Sequence, residues 1–332
     1  IPDKYRLDFL SQADLTNDLL KEILWCLVDI FNEGYAHRDF HAKNIFKTPE
    51  GVKIIDYEGT RCQSSNLNFY ESYDITGKGM DSPGSTDNMN IFHQSEYSLA
   101  KVFKINDVNQ LKSILSDKFK EKAFEFSKSF RSNLRKNKNA ILRQGRIYSS
   151  FNLENFQLKD QDFQRDINER FKKFEICKSD LTNKTILDIG SNIGGMLLAS
   201  SEYCPKLGLG IEIDLDKVEF SNKLAIFNNI NNISFQEGDI DSIQFLSNFN
   251  KKFDVVFCLA VLEHVKNPNG LFSLIERTCT ETLYFEGNAG TSQKYVEKKL
   301  KESGFVKIKF LGVSADEKNE ENNVRPLWKA TK

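Results

Sequence analysis

The sequence predicts an α/β chain: a mainly parallel sheet covered on both faces by helices, with a mainly helical region before it. Three observations carry this. From residue 184 onward, apolar strand-like runs alternate with helical patterns. A glycine-rich turn, Asp188-Ile189-Gly190-Ser191-Asn192-Ile193-Gly194-Gly195, directly follows the first of those runs. Near the start, Leu19, Leu20, Ile23, Leu24, Leu27, Val28 and Phe31 recur at helical spacing.

In chain order, a helix is expected over residues 15 to 34, with Thr16 and Asn17 as caps and Gly34 as its stop. A loop over 37 to 44 follows, then short strands Asn44–Lys47 and Val52–Ile55 joined by a Pro49-Glu50-Gly51 turn. Residues 60 to 95 read as irregular, 96 to 135 as helical and 136 to 160 as a linker. A charged amphipathic helix is expected over 161 to 175, using Phe163, Ile167, Phe171 and Phe174. Expected strands then follow at Thr185–Ile189, Leu207–Ile213, Ile233–Glu237, Phe253–Leu259, Thr282–Phe285, Val306–Leu311 and Leu327–Ala330. The expected domains are 1–125, a lead-in over 126–160, and 161–332.

The formal charge of −1 over 332 residues gives no global pull toward nucleic acid or membrane. No basic stripe interleaved with aromatics appears, which argues against RNA as partner. Arg131, Arg135, Lys136, Lys138, Arg143 and Arg146 form a local basic cluster, read as a solvated face or as a dock for an anionic acceptor. The six cysteines show no metal-ligand spacing and read as buried free thiols of a reducing compartment. No apolar run approaches the ~18–20 residues of a membrane span, and no signal peptide is visible. The expectation is a cytoplasmic protein, with any membrane association peripheral and through a partner.

Phosphoryl transfer needs a base to orient a hydroxyl and metals to bridge phosphates. His37-Arg38-Asp39-Phe40-His41-Ala42-Lys43-Asn44, then Ile54-Ile55-Asp56, supply those groups: a helix ends before the loop, Asp39 and Asn44 stand five apart, and a β-turn-β leads to Asp56. In these roles Asp39 accepts the hydroxyl proton, Asn44 and Asp56 hold Mg²⁺, and Lys43 offsets phosphate charge, while His37 braces the loop. An ordinary loop between helix and hairpin is the alternative. The segment resembles the C-terminal lobe of the protein-kinase-like superfamily over roughly residues 1 to 125, and the resemblance implies ATP and Mg²⁺. It departs in reading Asp56-Tyr57-Glu58 for Asp-Phe-Gly, a drift more like kinases acting on sugars or small molecules. Tyr73-Asp74-Ile75-Thr76-Gly77-Lys78-Gly79 with Ser82-Pro83 likewise lacks Ala-Pro-Glu. Nothing before residue 15 supplies a Gly-rich loop or a phosphate-binding Lys, and the chain opens on Ile1. A chain without its start, inactive or very weak as a kinase by itself, is therefore expected.

In the second half, an α/β sheet holds a nucleoside at the carboxyl ends of its strands, where small residues let the backbone approach. Asp188, Gly190, Asn192 and Gly194 shape such a turn. An acidic residue about 20 positions on should bind ribose hydroxyls, and Glu212 ends the next strand at that distance. Asp239 and Ile240 close the third strand, where they would face adenine. Phe253-Asp254-Val255-Val256-Phe257 leads into Leu262-Glu263-His264, with Asn267-Pro268 after it. This series resembles the S-adenosylmethionine-dependent methyltransferases of the Rossmann-like class over roughly residues 161 to 332. Asn192 replaces a common Gly and Ser191 a common Cys or Ala. The resemblance implies S-adenosylmethionine as cofactor and an antiparallel edge from the final two strands.

Methyl transfer is an in-line displacement from a sulfonium, and a base helps when the acceptor is a hydroxyl. His264 is the general-base candidate, since imidazole changes charge near neutral pH; a structural histidine is the alternative. Glu263, Glu286 and Asn288 stand at strand ends where they could position the acceptor, or, for the latter two, a metal. Tyr148, Gln164 and Arg165, before the first strand, could meet the cofactor's carboxylate or an anionic acceptor. The two halves together resemble the bifunctional kinase–methyltransferases that modify bacterial surface polysaccharides, in which the domain order is reversed. That resemblance implies phosphorylation of a glycan or small-molecule hydroxyl followed by methylation of the phosphate. The alternatives are an independent sugar O-methyltransferase, and a kinase-like half that serves only to bind.

Overall fold

A computed structural model describes residues 1–37, 40–57, 61–62, 69, 91–92, 96–132, 146–318, 320 and 323–332, with backbone alone at 61–62 and 128–132. Asp39, the 73–79 and 82–83 segments, and the basic residues from Arg135 to Arg143 lie outside the described residues. The chain divides into two compact units, Ile1–Glu121 with Ile226–Asn229, and Lys122–Ala225 with Ile230–Lys332.

In the first unit the helix Asn17–Asn32 begins where Thr16 Oγ1 accepts the Leu19 N–H at 3.2 Å. Its stripe of Leu19, Leu20, Ile23, Leu24, Leu27, Val28 and Phe31 is buried. Each such side chain contributes about 1.5–3 kcal/mol of apolar burial, so this face holds the helix in place. The helix ends at Asn32, two residues before Gly34, whose φ of +86° turns the chain. Strand β1 (Tyr35–Ala36) pairs antiparallel with β4 (Arg61–Cys62), and β2 (Ile45–Thr48) with β3 (Gly51–Ile54) as a hairpin. Helices Leu99–Phe103 and Val108–Ser132 follow.

In the second unit, β5 (Ile147–Ser149) pairs in parallel with β6 (Phe163–Arg165). This corrects the expected helix over 161–175, which begins only at Ile167. The reason is local: Asp166 Oδ1 accepts the N–H of Asn168 (2.9 Å) and of Glu169 (3.2 Å), capping the helix there. Residues 163–165 give their backbone groups to β5 instead.

The main sheet holds β7 (Thr185–Ile189), β8 (Leu207–Glu212), β9 (Ile233–Glu237), β10 (Phe253–Leu259), β11 (Cys279–Glu286), β12 (Lys307–Val313) and β13 (Pro326–Thr331). Their order is β12-β13-β11-β10-β7-β8-β9, parallel throughout β11 to β9, with β13 antiparallel to both neighbours. Its faces are buried: Leu187, Ile189, Val256, Cys258, Leu283, Phe285 and Trp328 join one apolar core with Leu271, Leu274 and Ile275 of the helix Pro268–Thr278. Near-continuous apolar strands are what a sheet covered on both sides requires. The cysteines divide: Cys258 and Cys279 are buried, whereas Cys177 and Cys204 are exposed, against the expectation of buried thiols. Among the described residues no helix is long and apolar enough to cross a membrane.

Candidate active site

Strand order reverses at β7. From it the chain builds β8 and β9 to one side and β10 and β11 to the other. Such a switch point leaves a crevice at the carboxyl ends of the strands, where ligands of open α/β sheets sit. The turn out of β7 is tight, with the Gly190 and Ser191 N–H groups both donating to the Ile211 carbonyl at 2.9 Å. Gly190 (φ +72°) and Gly194 (φ +79°) take left-handed conformations. A Cβ would meet Val261 Cγ2 at 2.7 Å from Gly190 and Phe235 Cζ at 2.6 Å from Gly194. Asn192 also has positive φ, +52°, a conformation asparagine tolerates better than most residues.

That strained turn is pinned to Glu212 at the end of β8. Glu212 Oε2 accepts the Asn192 N–H at 2.8 Å, and Oε1 accepts those of Ile213 (3.1 Å) and Asp214 (3.2 Å). A carboxylate has about four acceptor directions, so a fixed pair of oxygens keeps capacity for a diol. Asp239 is exposed, with Oδ1 accepting the Asp241 N–H at 2.8 Å, and Ile240 is half-buried against the core. Asp188 is buried at the end of β7. Burial pushes its carboxyl up to about 7, Arg170 opposes this, and Glu212 adds to it.

The loop after β10 is clamped from two sides. Ala260 stands at φ +60°, with its N–H donating to the Glu286 carbonyl at 2.8 Å. Asn288 Oδ1 accepts the Glu263 N–H at 3.1 Å while its Nδ2 donates to the Ala260 carbonyl at 3.2 Å. Asp241 accepts the N–H of Lys266 (2.9 Å) and Asn267 (3.0 Å). Glu263 and His264 are exposed on the loop so held. Asn288, expected to meet the acceptor, is buried and spends its amide on this loop.

Arg165 and Glu286, also expected to meet the acceptor, are wholly enclosed and hold each other at 2.9 Å. Arg165 grips Asp316 with two bonds, at 2.7 and 2.9 Å, and donates from Nη1 to the Tyr148 hydroxyl at 3.1 Å. Glu286 is further paired with Arg170 and with Arg325, the latter at 3.3 Å. Burial alone would raise its pKa, but Arg165, Arg170 and Arg325 hold it down at about 2. Both side chains therefore tie the lead-in to the sheet, and their polar contacts in this structure are internal. Gln164 turns its amide to the Arg146 carbonyl at 3.3 Å. Arg170, Arg325, Asp316 and Asp241 escaped the sequence reading. Asp241, next to Ile240, and Arg170, five residues beyond Arg165, stood near residues that it had singled out.

A separate hollow lined by Phe151, Leu153, Phe171 and Tyr203 shares Gly195 with the turn but is not lined by Asp188 or Glu212. The chemistry therefore belongs to the strand ends, where charged and strained groups converge.

In the first unit, Asn44 is buried and its carbonyl accepts the Ile55 N–H at 2.9 Å, which sets Asp56 beside it in the chain's path. Asp56 is exposed with φ +62°. The Ile55 carbonyl accepts from His37 Nε2 at 2.9 Å. Lys43 Nζ lies 3.5 Å from the centre of the Tyr97 ring, so its ammonium is engaged in a cation–π contact.

Residues 180–319 match a protein family described as a methyltransferase domain. A ubiquinone biosynthesis O-methyltransferase of Glaesserella parasuis serovar 5 is 30% identical over 109 residues, 32% of this chain and 44% of its own length. A tRNA U34 carboxymethyltransferase of Nautilia profundicola is 32% identical over 102 residues, 30% of this chain and 32% of its own length. The chain thus spans less than half the length of these curated relatives. Among solved structures, magnesium protoporphyrin IX methyltransferase from Synechocystis PCC 6803 with bound S-adenosylmethionine superposes with a TM-score of 0.41 at 17% identity. That match covers 50% of this chain and 77% of the other. The matched segment of this chain is thus similar to methyltransferase domains, and its sheet has the strand order of a Rossmann-like α/β fold.

Proposed function

We propose that this chain transfers a methyl group from S-adenosylmethionine to an oxygen of a glycan or small-molecule acceptor. The observation that carries the reading is Glu212, fixed by three backbone N–H groups beside the left-handed turn that ends β7. The two glycines there turn the backbone in the left-handed region and let Val261 and Phe235 pack directly against the turn. Ser191 Oγ, buried in the same turn, has no hydrogen-bond partner of its own.

In this reading Glu212 accepts from the ribose hydroxyls. The turn from Asp188 to Gly194 cradles the methionine end, and Asp239 with Ile240 meets adenine. S-adenosylmethionine supplies a methyl group on a positively charged sulfur, open to in-line attack. The protein's share is to align acceptor and methyl and to exclude water. The clamped loop after β10 brings Glu263 and His264 to the same end of the sheet. Oxygen as the acceptor atom is supported by the name of the relative from Glaesserella parasuis, an O-methyltransferase.

A second reading, methylation of a phosphate installed by the first half with ATP and Mg²⁺, is favoured by one observation. The backbone after the hairpin of β2 and β3 is tied to Asn44, whose carbonyl accepts the N–H of Ile55, the residue before Asp56. Labelled methyl transfer onto a panel of glycans, each with and without prior phosphorylation, separates the two. Label on unphosphorylated sugar is the expected outcome, and label confined to phosphorylated sugar establishes methyl-phosphate capping. No label on either, with no cofactor binding by calorimetry, defeats both.

A further inference from the structure

We propose that Asp241 is a positioning residue for the acceptor side of the site. Its carboxylate fastens the loop that carries Glu263 and His264 to the turn that meets adenine, so the cofactor, once bound, steadies the loop that holds the acceptor. The inference rests on the reading of the chain as a methyltransferase that uses S-adenosylmethionine, and deepens it.

Asp241 follows the end of β9 closely, and its backbone N–H donates to Asp239 Oδ1 at 2.8 Å. The Ser242 N–H donates to the Asp239 carbonyl at 3.0 Å. Asp239 and Asp241 thus belong to one closed turn, and a shift of either carries the other. The turn is seated on the ribose side of the site, where the Gly238 N–H donates to the Glu212 carbonyl at 2.9 Å. Phe245 packs so closely on Gly238 that a Cβ there would meet its ring at 2.6 Å.

Both carboxylate oxygens of Asp241 serve the loop after β10. Oδ1 accepts the N–H of Lys266 at 2.9 Å and of Asn267 at 3.0 Å, and Oδ2 accepts that of Lys266 at 3.0 Å. Strands β9 and β10 are not neighbours, since β7 and β8 lie between them. No strand pairing joins the two loops, and the strands between them are the pair that end in the glycine turn and in Glu212. At its other end the same loop packs on that turn, with Val261 Cγ2 2.7 Å from where a Gly190 Cβ would stand. Glu263 and His264, both exposed, lie between these two attachments. Asn288 steadies the near half of the loop, at Ala260 and Glu263; Asp241 steadies the far half. A carboxylate suits the place. Asn267 caps the helix Pro268–Thr278 by accepting the Gly270 N–H at 3.0 Å, so Asp241 stands at a helix N-terminus, where negative charge is favoured. Bonds to an ionised acceptor are also the stronger kind.

The consequence is a coupling between the two ligands. A cofactor that meets Asp239 restricts the turn 239–242, and the loop 262–267 bonded to that turn then loses less entropy when it takes the acceptor. Asp241 acts in this through the backbone of Lys266 and Asn267 and takes no part in the methyl transfer itself.

The test is hydrogen–deuterium exchange on the full chain, with S-adenosylhomocysteine as the probe. In the wild type the probe is expected to slow exchange at 188–194 and at 262–267, the latter about tenfold, the scale of bonds to one carboxylate. In Asp241→Ala the slowing at 262–267 is expected to vanish while that at 188–194 remains, with probe affinity by calorimetry within about threefold of wild type. Asp241→Asn keeps the shape and one acceptor oxygen, and is expected to retain part of the slowing. If Asp241→Ala exchanges faster at 262–267 by the same factor with and without the probe, the residue is a brace and the inference is overturned. A wild type in which the probe slows 188–194 but not 262–267 also overturns it, needs no variant, and leaves cofactor binding standing. A wild type that binds no probe overturns the underlying reading, and this inference falls with it.

Discussion

Replacing Glu286 by Gln should be among the most damaging single-atom-scale changes in the second unit. The carboxylate is fully enclosed and faces Arg165, Arg170 and Arg325. With a neutral amide there, three guanidinium groups remain and only Asp316 and Glu317 stand near to balance them. Removing one partner from a buried charge cluster costs about 3–5 kcal/mol. The pKa argument gives a similar figure. A fall from 4.5 to about 2 corresponds to about 3 kcal/mol at 1.36 kcal/mol per pH unit. In a domain of this size each kcal/mol moves the midpoint by about 2–4 °C, so thermal unfolding should shift down by about 10 °C at neutral pH. The pH dependence carries its own sign. Because the folded-state pKa lies below the unfolded value, this contribution is fully present above about pH 4.5 and is lost as pH falls through about 2. The gap between wild type and Glu286→Gln should therefore narrow across that window. Calorimetry at neutral pH and at two acid pH values measures it. A shift under about 3 °C at neutral pH, unchanged in acid, would refute the picture of a cluster cut off from water.

Asp188→Asn should show the opposite pH trend. The raised pKa of Asp188 means the wild type loses stability as pH rises from about 4 to 7, so the variant should be the more stable above pH 7 by a few kcal/mol while binding S-adenosylmethionine less well. Glu212→Ala removes the acceptor of the Asn192, Ile213 and Asp214 N–H groups and should weaken cofactor affinity about 10- to 100-fold by calorimetry, in line with about 1.5–3 kcal/mol for hydrogen bonds to a charged group. Gly194→Ala combines a positive φ with a methyl driven onto Phe235 and should cost about 1–3 kcal/mol in urea unfolding.

Much of the sheet was legible because its signals are local. Apolar runs bounded by turn residues placed Thr185–Ile189, Ile233–Glu237 and Phe253–Leu259 where the structure has them. The turn after β7 was legible because left-handed backbone selects Gly and Asn. Strand β11 came out longer than expected, since Cys279 pairs with Phe253 of β10 and the register then shifts past Thr280 and Glu281 before Thr282 meets Val255. The segment 163–165 was misread as helix because helical spacing of Phe163, Ile167, Phe171 and Phe174 outweighed the Asp166 cap, which is a single-residue signal.

By itself, then, the sequence determined the α/β alternation, the glycine turn and the acidic end of the second strand, each encoded within a few residues. Only the tertiary structure decided what the charged residues do. Arg165 meets Asp316 across 151 positions and Arg325 meets Tyr148 across 177, and no periodicity or spacing marks such pairs. Strand order brings them together: β13 inserts beside β11 and carries Arg325 to Glu286, while β5 and β6 bring Tyr148 and Arg165 to the same place. Burial then makes their charges interact strongly, because water no longer screens them.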